Sequence, residues 1–139
     1  MTLVVDASLI IAAVMPDEDS EIASTVLDRI ADEGAVAPGI FTWEVANVLS
    51  IAIRRKRLSF QDAEDILEDL ADLDIVCEAT EAGRVRAEVF GLSQRHALSV
   101  YDAGYLELAR RLNAPLATLD RQLARAGRAE GVDLVSGIE

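Results

Sequence analysis

Short apolar runs alternate along this chain with longer segments in which apolar residues recur every three or four positions. The short runs are typical of buried strands, and the three-to-four-residue recurrence is typical of helices with one buried face. Strands are predicted over residues 3–5, 35–37, 73–78, 116–119 and 132–135. Helices are predicted over residues 8–15, 20–32, 42–56, 59–71, 81–95, 99–113 and 121–130.

Strands that alternate with helices imply βαβ units and a parallel sheet covered on both faces. The sequence therefore predicts an α/β protein, a three-layer α/β/α sandwich with a mostly parallel central sheet of four or five strands. The 139 residues contain no low-complexity stretch, no long Pro/Gly/Ser linker and no repeat of fixed period. One domain over residues 1–139 is the simplest expectation.

Two aspartates lie at the edge of the predicted sheet where α/β proteins usually bind ligands. Asp6 and Asp120 each follow a predicted strand directly. Because ligands bind beyond the carboxyl ends of parallel strands, both residues are candidates for a functional site. An aspartate between a strand and a helix is also a favoured helix N-cap, which would explain either residue alone. The pair at one edge of the sheet is what favours a functional role.

A third acid lies near the start of a predicted helix. Glu44 forms a polar stripe with Asn47 and Ser50 on a helix that is otherwise nearly apolar up to Arg54. The stripe fits a thin solvent-exposed edge on a buried helix as well as it fits a site. Its position near a helix start, at the same predicted edge of the sheet, slightly favours the site.

The fourth acid, Asp102, follows Ser99 by three positions, as in a capping box. However, it shares a helical face with Leu106, whereas Glu107 and Arg111 are predicted to lie on the other side. A carboxylate placed against the core is costly unless hydrogen bonds or a cation compensate its charge. Asp102 is therefore a second helix-borne candidate.

No basic residue is well placed in sequence to pair with Asp6, Glu44, Asp102 and Asp120 together. Crowded carboxylates need a cation, and ligands that are all oxygen suit hard ions such as Mg²⁺ or Mn²⁺. Phosphodiester hydrolysis is the chemistry that such sites commonly serve. Hydrolysis without a metal usually needs paired acid–base groups, but His96 is the sole histidine and fits a structural role at a helix end.

The overall charge works against a nucleic-acid partner. The formal net charge is −12, from 25 acidic and 13 basic residues, so a local basic patch would be required. Arg54 and Arg55 are candidates for binding a substrate, although cations at a helix C-terminus also complement the helix dipole. A single cysteine, Cys77, and the lack of a long apolar segment lead us to expect a cytoplasmic protein with no membrane partner.

Four segments together resemble the PIN-domain ribonucleases, and specifically the VapC toxins of type II toxin–antitoxin systems. They are residues 5–8, 43–49, 99–109 and 117–120, which read VDAS, WEVANVL, SVYDAGYLELA and ATLD. Each segment alone is weak, but the four in this order and spacing are specific. The resemblance extends over the whole chain and implies a single PIN-like domain.

The resemblance implies that the four acids bind the metal, with Ser8, Thr118 and Asn47 as supporting polar residues. It also implies Mg²⁺- or Mn²⁺-dependent cleavage of RNA, a homodimer, and inhibition by a VapB-type antitoxin. These expectations come from the family and not from composition or spacing.

Two other functions remain open at this stage. A receiver-like phosphoacceptor domain has a similar length and an acidic Mg²⁺ pocket, but Asp6 has no acidic neighbour and the only lysine, Lys56, lies mid-chain. A non-catalytic binding module of the same fold is the second alternative. We expect Phe41 and Trp43 to lie in the core, because aromatic content is only 4%. Tyr101 and Tyr105 could line the mouth of the site, but we expect them to serve packing.

Overall fold

Four parallel strands form the sheet of the computed structural model, which describes residues 2–135. The strands are β1 (Leu3–Val5), β2 (Ala35–Pro38), β3 (Ile75–Glu78) and β4 (Leu116–Ala117). They are hydrogen-bonded in the order β3-β2-β1-β4. In register, Val4 of β1 is opposite Val36 of β2 and Leu116 of β4. The predicted parallel sheet is confirmed.

Helices connect the strands and pack on the sheet. They are α1 (Ala7–Val14), α2 (Glu21–Glu33), α3 (Ile40–Arg54), α4 (Phe60–Ala71), α5 (Ala82–Arg84), α6 (Phe90–His96), α7 (Val100–Leu112) and α8 (Arg121–Ala129). A π-helical turn, Val85–Val89, joins α5 to α6, so the helix predicted over 81–95 has an altered pitch at its centre. None of the helices within residues 2–135 combines the length and the apolar character needed to cross a lipid bilayer.

Strand β1 lies at the centre of the core. Leu3, Val4 and Val5 are all fully buried, and successive side chains of a strand point to opposite faces of the sheet. Both faces of the sheet are therefore covered at β1, with α7 in contact with β1, β2 and β4. The predicted α/β sandwich is confirmed.

Local capping signals set the helix boundaries. The hydroxyls of Ser20, Ser59 and Ser99 accept hydrogen bonds from backbone N–H groups of α2, α4 and α7, each three residues further on. Such caps satisfy N–H groups that have no partner inside the helix. Gly34 ends α2 at a φ of 77°, a conformation that residues with a side chain rarely adopt. These boundaries agree with the sequence predictions to within two residues.

The last two predicted strands are shorter in the structure. Strand β4 ends at Ala117 instead of continuing to residue 119, because the Thr118 hydroxyl accepts a hydrogen bond from the Asp120 N–H and turns the chain towards α8. The strand predicted over 132–135 is reduced, within the described residues, to a parallel bridge between Leu116 and Leu134.

The strand order creates a site at the carboxyl edge of the sheet. The chain leaves β1 towards β2 on one side, whereas β4 joins β1 on the other. At such a switch point the connections diverge and leave a crevice, which is where open α/β sheets bind ligands. Asp6 and Asp120 follow the two strands that border this point.

Candidate active site

Asp6 occupies the first turn after β1 and is only 3% exposed. It caps α1: its Oδ1 accepts hydrogen bonds from the Leu9 N–H at 3.1 Å and from the Ser8 hydroxyl at 2.8 Å. Its Oδ2 accepts a hydrogen bond from the buried Thr118 hydroxyl. The N-cap explanation of Asp6 is therefore correct as structure, and it does not exclude a second role at the crevice.

Two hydroxyl groups tie the loop after β1 to the loop after β4. Thr118 donates to Asp6 and accepts from the Asp120 N–H at 3.0 Å. Ser8 also donates to Asp6 and accepts from the Leu119 N–H at 3.4 Å. The sequence-predicted supports Ser8 and Thr118 thus hold the positions of both aspartates.

Glu44 lies in the first turns of α3 and faces α7. The hydroxyl of Tyr105 donates a hydrogen bond of 2.6 Å to its Oε1. Tyr105 is buried, so packing was predicted correctly, but its hydrogen bond to Glu44 was missed. Helical spacing places Tyr105 one turn from Asp102, and this was the available signal.

Asp102 and Asp120 complete the set of acids at the starts of two helices. The Asp102 N–H donates to the Ser99 hydroxyl at 3.0 Å, and Asp120 caps α8 by accepting from the N–H groups of Gln122 and Leu123. Both residues are half-buried. The N-cap explanation is correct for Asp120, whereas the hydrogen bond at Asp102 is made by its backbone N–H and shows only the Ser99 half of a capping box.

All four predicted acids border one cleft of about 230 Å³. They come from β1–α1, α3, α7 and the start of α8, and the apolar side chains of Ile11 and Val48 form part of its wall. In the described part of the chain, however, no three His, Cys, Asp or Glu side chains already lie close enough together to hold one ion. The acids border the cleft without forming a ready-made coordination shell.

The pKa values show that the charges of this cleft are poorly compensated. Burial raises the pKa of Asp6 to about 6, against the lowering effect of its three hydrogen bonds. Burial also raises the pKa of Glu44, and burial together with the nearby charge of Asp120 raises the pKa of Asp102. A neighbouring cation would lower these pKa values, and none is among the causes of the three shifts.

Several arginines pair with other carboxylates. Glu107 receives Arg84 and Arg111, and Glu130 receives Arg95 and Arg110. The four acids of the cleft instead lie near one another and offer only carboxylate oxygens as ligands. Such ligands fit a hard divalent cation such as Mg²⁺ or Mn²⁺, because hard cations prefer oxygen to softer ligand atoms.

Three other candidate residues lie outside this cleft. Asn47 is exposed and lines a neighbouring hollow together with Glu44. Arg54 is the last residue of α3, where it donates to the Ser50 hydroxyl at 2.8 Å, and Arg55 is the C-cap. The two arginines lie about ten residues from Glu44, roughly 15 Å along the helix.

Two sequence predictions about side chains near the cleft are wrong. Trp43 was expected in the core but is 81% exposed, and Tyr101, expected to pack, is 60% exposed. Glu107, predicted on the other side of α7 from Asp102, is 4% exposed, because arginines from α5 and α7 cover and neutralise it. Phe41 is buried as predicted.

His96 ends α6 and its Nε2 lies 2.6 Å from the Glu130 carboxylate. It therefore has the structural role at a helix end that the sequence indicated.

A family model described as "PIN domain" matches residues 3–129. This span includes all four acids and every strand of the sheet. The chain belongs to the PIN-domain family. Ribonuclease VapC3 of Pyrobaculum aerophilum is 36% identical over 124 residues, covering 89% of this chain and 93% of the relative. Ribonuclease VapC9 of Mycobacterium tuberculosis is 32% identical over 133 residues, covering 92% and 93%. The predicted membership of the PIN-domain VapC ribonucleases is confirmed.

Two solved structures share the fold of this PIN domain. PAE2754 from Pyrobaculum aerophilum aligns with a TM-score of 0.68 at 22% identity, over 91% of this chain and 86% of that one. FitAcB from Neisseria gonorrhoeae aligns with a TM-score of 0.67 at 15% identity, over 97% of both. At these identities the likeness concerns the fold, and it agrees with the α/β sandwich described above.

The extent of one domain over all 139 residues stays a prediction.

Proposed function

We propose that this PIN domain is the toxin of a type II toxin–antitoxin pair and an endoribonuclease that hydrolyses RNA phosphodiester bonds with Mg²⁺ or Mn²⁺. The observation that carries the proposal is the cleft bordered by four carboxylates, which no basic side chain among residues 2–135 lines. Curated relatives that match about nine-tenths of the chain are named ribonucleases, which supports the nuclease class.

Asp6, Glu44, Asp102 and Asp120 are the residues that would hold the metal. When bound, a divalent cation supplies a Lewis acid that activates water and offsets the charge on the phosphoryl group. The role of the protein is to keep the four carboxylates ionised, oriented and close to one another.

The hydrogen bonds of Asp6 leave it free to bind a cation on one side. A carboxylate offers about four lone-pair directions. Ser8 and Leu9 use those of Oδ1, and Thr118 uses one of Oδ2, so an acceptor direction of Oδ2 remains. The two hydroxyls thereby fix the rotamer of Asp6, and outer-shell contacts of this kind usually orient metal ligands.

Tyr105 has the corresponding role for Glu44. Its hydrogen bond occupies Oε1 and its ring is buried beneath the cleft, which limits the rotation of the carboxylate and leaves Oε2 for a ligand. We assign Tyr105 as a positioning residue and not as a proton donor, since burial and the neighbouring carboxylates raise its pKa far above the ordinary value.

The partners of the proposed toxin are a VapB-type antitoxin, an RNA substrate and a second copy of the chain, in the cytoplasm. The names of the relatives support the antitoxin. The basic end of α3 supports RNA binding, with Arg54 and Arg55 as phosphate contacts. If they contact phosphates, the double Arg54→Ala, Arg55→Ala variant should bind RNA more weakly and with a shallower salt dependence. Light scattering on the purified chain tests the homodimer.

The decisive experiment is cleavage of end-labelled RNA by purified chain free of antitoxin, with Mg²⁺, with Mn²⁺ and with EDTA. Wild type should produce discrete fragments with 5′-phosphate and 3′-hydroxyl ends in either metal. EDTA should abolish them, and Asp6→Asn should abolish them while its circular dichroism spectrum stays native.

The matched control is Asp17→Asn, the same substitution at an exposed aspartate that is bonded to Arg57. It should cleave like wild type. Products with 2′,3′-cyclic phosphate ends, or cleavage that survives EDTA, would contradict the metal-dependent mechanism. Folded wild type that cleaves nothing would favour the non-catalytic binding module.

A further inference from the structure

Two exposed aromatic side chains stand beside the acids of the cleft. Trp43 directly precedes Glu44 on α3, and Tyr101 directly precedes Asp102 on α7. Large aromatic side chains usually bury most of their surface, yet these two are among the most exposed in the described chain. Their position next to two proposed metal ligands suggests that they contact what the cleft binds.

The two rings line one trough that runs into the acid cleft. We define the trough by Ile40, Trp43, Asn47, Val100 and Tyr101. It consists of a hollow of about 630 Å³ and one of about 330 Å³, which share Ile40, Trp43 and Tyr101. Glu44 lines both the larger hollow and the acid cleft.

Helical spacing explains why α3 contributes so much of this surface. Ile40, Trp43 and Asn47 lie at i, i+3 and i+7, with Glu44 at i+4, and therefore share one face of the helix. The same face presents an apolar side chain, an aromatic ring, a carboxylate and an amide in that order along the axis. A single rigid element thus fixes the position of the trough relative to Glu44.

The charge of the trough selects what can occupy it. Apart from Glu44 at its junction with the cleft, none of the described residues that line it is charged. The net charge of the chain is −12. A phosphate would find no cation there. A nucleobase is flat and uncharged and can stack on Trp43 or Tyr101, and the amide of Asn47 can donate to and accept from its edge.

We propose that Trp43 and Tyr101 form a stacking subsite for the base of a nucleotide that adjoins the scissile phosphate of single-stranded RNA. The inference rests on the proposed ribonuclease function and adds to it how the substrate is held. A base inside a duplex keeps both faces stacked on its neighbours, so the subsite selects unpaired RNA. The phosphate lies at the acids, and the adjoining base lies in the trough.

The experiment uses the fluorescence of Trp43, the only tryptophan of the chain. It is made in the Asp6→Asn background, which should not cut RNA, with Mg²⁺ in large excess because the substitution should weaken metal binding. The probes are an eight-nucleotide single-stranded RNA, versions with one abasic position moved along it, and the corresponding duplex. The single strand should quench Trp43. One abasic position should weaken binding by about five-fold or more. Trp43→Ala and Tyr101→Ala should weaken binding to a similar extent, measured by the anisotropy of labelled RNA.

Controls separate stacking from a general loss of aromatic surface. Phe60→Ala removes a ring that is 66% exposed but lies outside the trough, and it should leave RNA affinity unchanged. Trp43→Phe should retain most of the affinity, because phenylalanine still stacks. With Trp43→Ala, the penalty of the critical abasic position should disappear.

Three outcomes overturn the stacking subsite. In the first, Trp43→Ala binds RNA as tightly as Phe60→Ala does, although Asp6→Asn has abolished cleavage. The proposed ribonuclease function would then stand without the stacking subsite. In the second, Trp43→Ala keeps its RNA affinity but changes its mass in light scattering. The trough would then be an interface between copies of the chain. The third is folded wild type that neither binds nor cleaves RNA, which removes the ribonuclease as well.

Discussion

Asp102 and Glu107 lie five residues apart on α7, and the structure treats their charges in opposite ways. Glu107 is buried and accepts a 2.8 Å hydrogen bond from Arg111, with Arg84 at 3.6 Å. Asp102 is half-buried, and its pKa is raised by desolvation and by the carboxylate of Asp120. One acid of the helix is neutralised within the protein, whereas the other is left beside further acids.

We interpret the difference as that between an acid that contributes to folding and an acid that is proposed to bind a cation. Removing one partner from a buried ion pair leaves an uncompensated charge and destabilises the fold. Removing a carboxylate from a crowded site relieves repulsion and costs little unless a cation was bound there. Charge compensation, and not burial alone, therefore distinguishes the candidate ligands from the structural acids.

The largest expected effect is that of the Asp102→Asn substitution on RNA cleavage. We expect cleavage of RNA to fall by at least about 100-fold, since even outer-shell partners of metal ligands cost 10–100-fold when they are changed. Stability without metal should stay the same or rise slightly, because repulsion with Asp120 is removed. Initial rates and urea unfolding in EDTA measure the two quantities. A variant that is strongly destabilised in EDTA would show that Asp102, like Glu107, contributes to the stability of the fold.

Glu107→Gln should show the reverse pattern. The substitution removes the charge that Arg84 and Arg111 share, and we expect the free energy of unfolding to fall by about 1–2 kcal/mol. Cleavage per folded molecule should remain at the wild-type level. Urea unfolding followed by circular dichroism, with activity measured well below the unfolding midpoint, tests both. Loss of activity without loss of stability would place Glu107 in the functional set.

Metal binding should stabilise the fold through the cleft alone. At a free Mg²⁺ concentration ten times its dissociation constant, the free energy of unfolding should rise by about 1.4 kcal/mol. EDTA should reverse the gain, Asp6→Asn should lose most of it, and Asp17→Asn should keep it. Thermal unfolding with increasing Mg²⁺ measures the shift. An equal gain in Asp6→Asn would show that the ion binds elsewhere.

The smallest expected effect concerns Glu130, another arginine-paired acid. Hydrogen bonds from His96 and Arg95 lower its pKa below the usual 4.5. Its stabilising contribution is therefore complete above pH 4.5 and is lost as the pH falls through the lower, folded-state pKa. Glu130→Gln should be less stable than wild type near pH 6, by under about 1 kcal/mol because Arg95 is largely exposed.

Urea unfolding of wild type and of Glu130→Gln between pH 6 and pH 3 tests this pH dependence. The difference in their free energies of unfolding should narrow as the pH falls below 4.5. A gap that widens in acid would mean that the Glu130 carboxylate is not stabilised by its neighbours.

Local sequence signals were enough to predict most helices and strands and the acids near their ends. Strand runs, serine caps such as Ser99 and the terminating Gly34 depend on neighbours a few residues away, so their effects can be predicted without the fold. The placement of Asp6 and Asp120 at one edge also follows, because parallel strands share the direction of their carboxyl ends. The approximate location of the candidate site was therefore available from the sequence.

Which helical faces are covered and which charges are paired could not be predicted in the same way, because both depend on how the helices pack. Helical periodicity shows that Trp43 and Glu44 are neighbours on α3, but not that the chain leaves their face open. It separates Glu107 from Asp102 on α7, but cannot reveal that Arg84, from another helix, buries and neutralises Glu107. Exposure and charge compensation depend on contacts between residues distant in sequence, and those contacts arise only when the helices pack on the sheet.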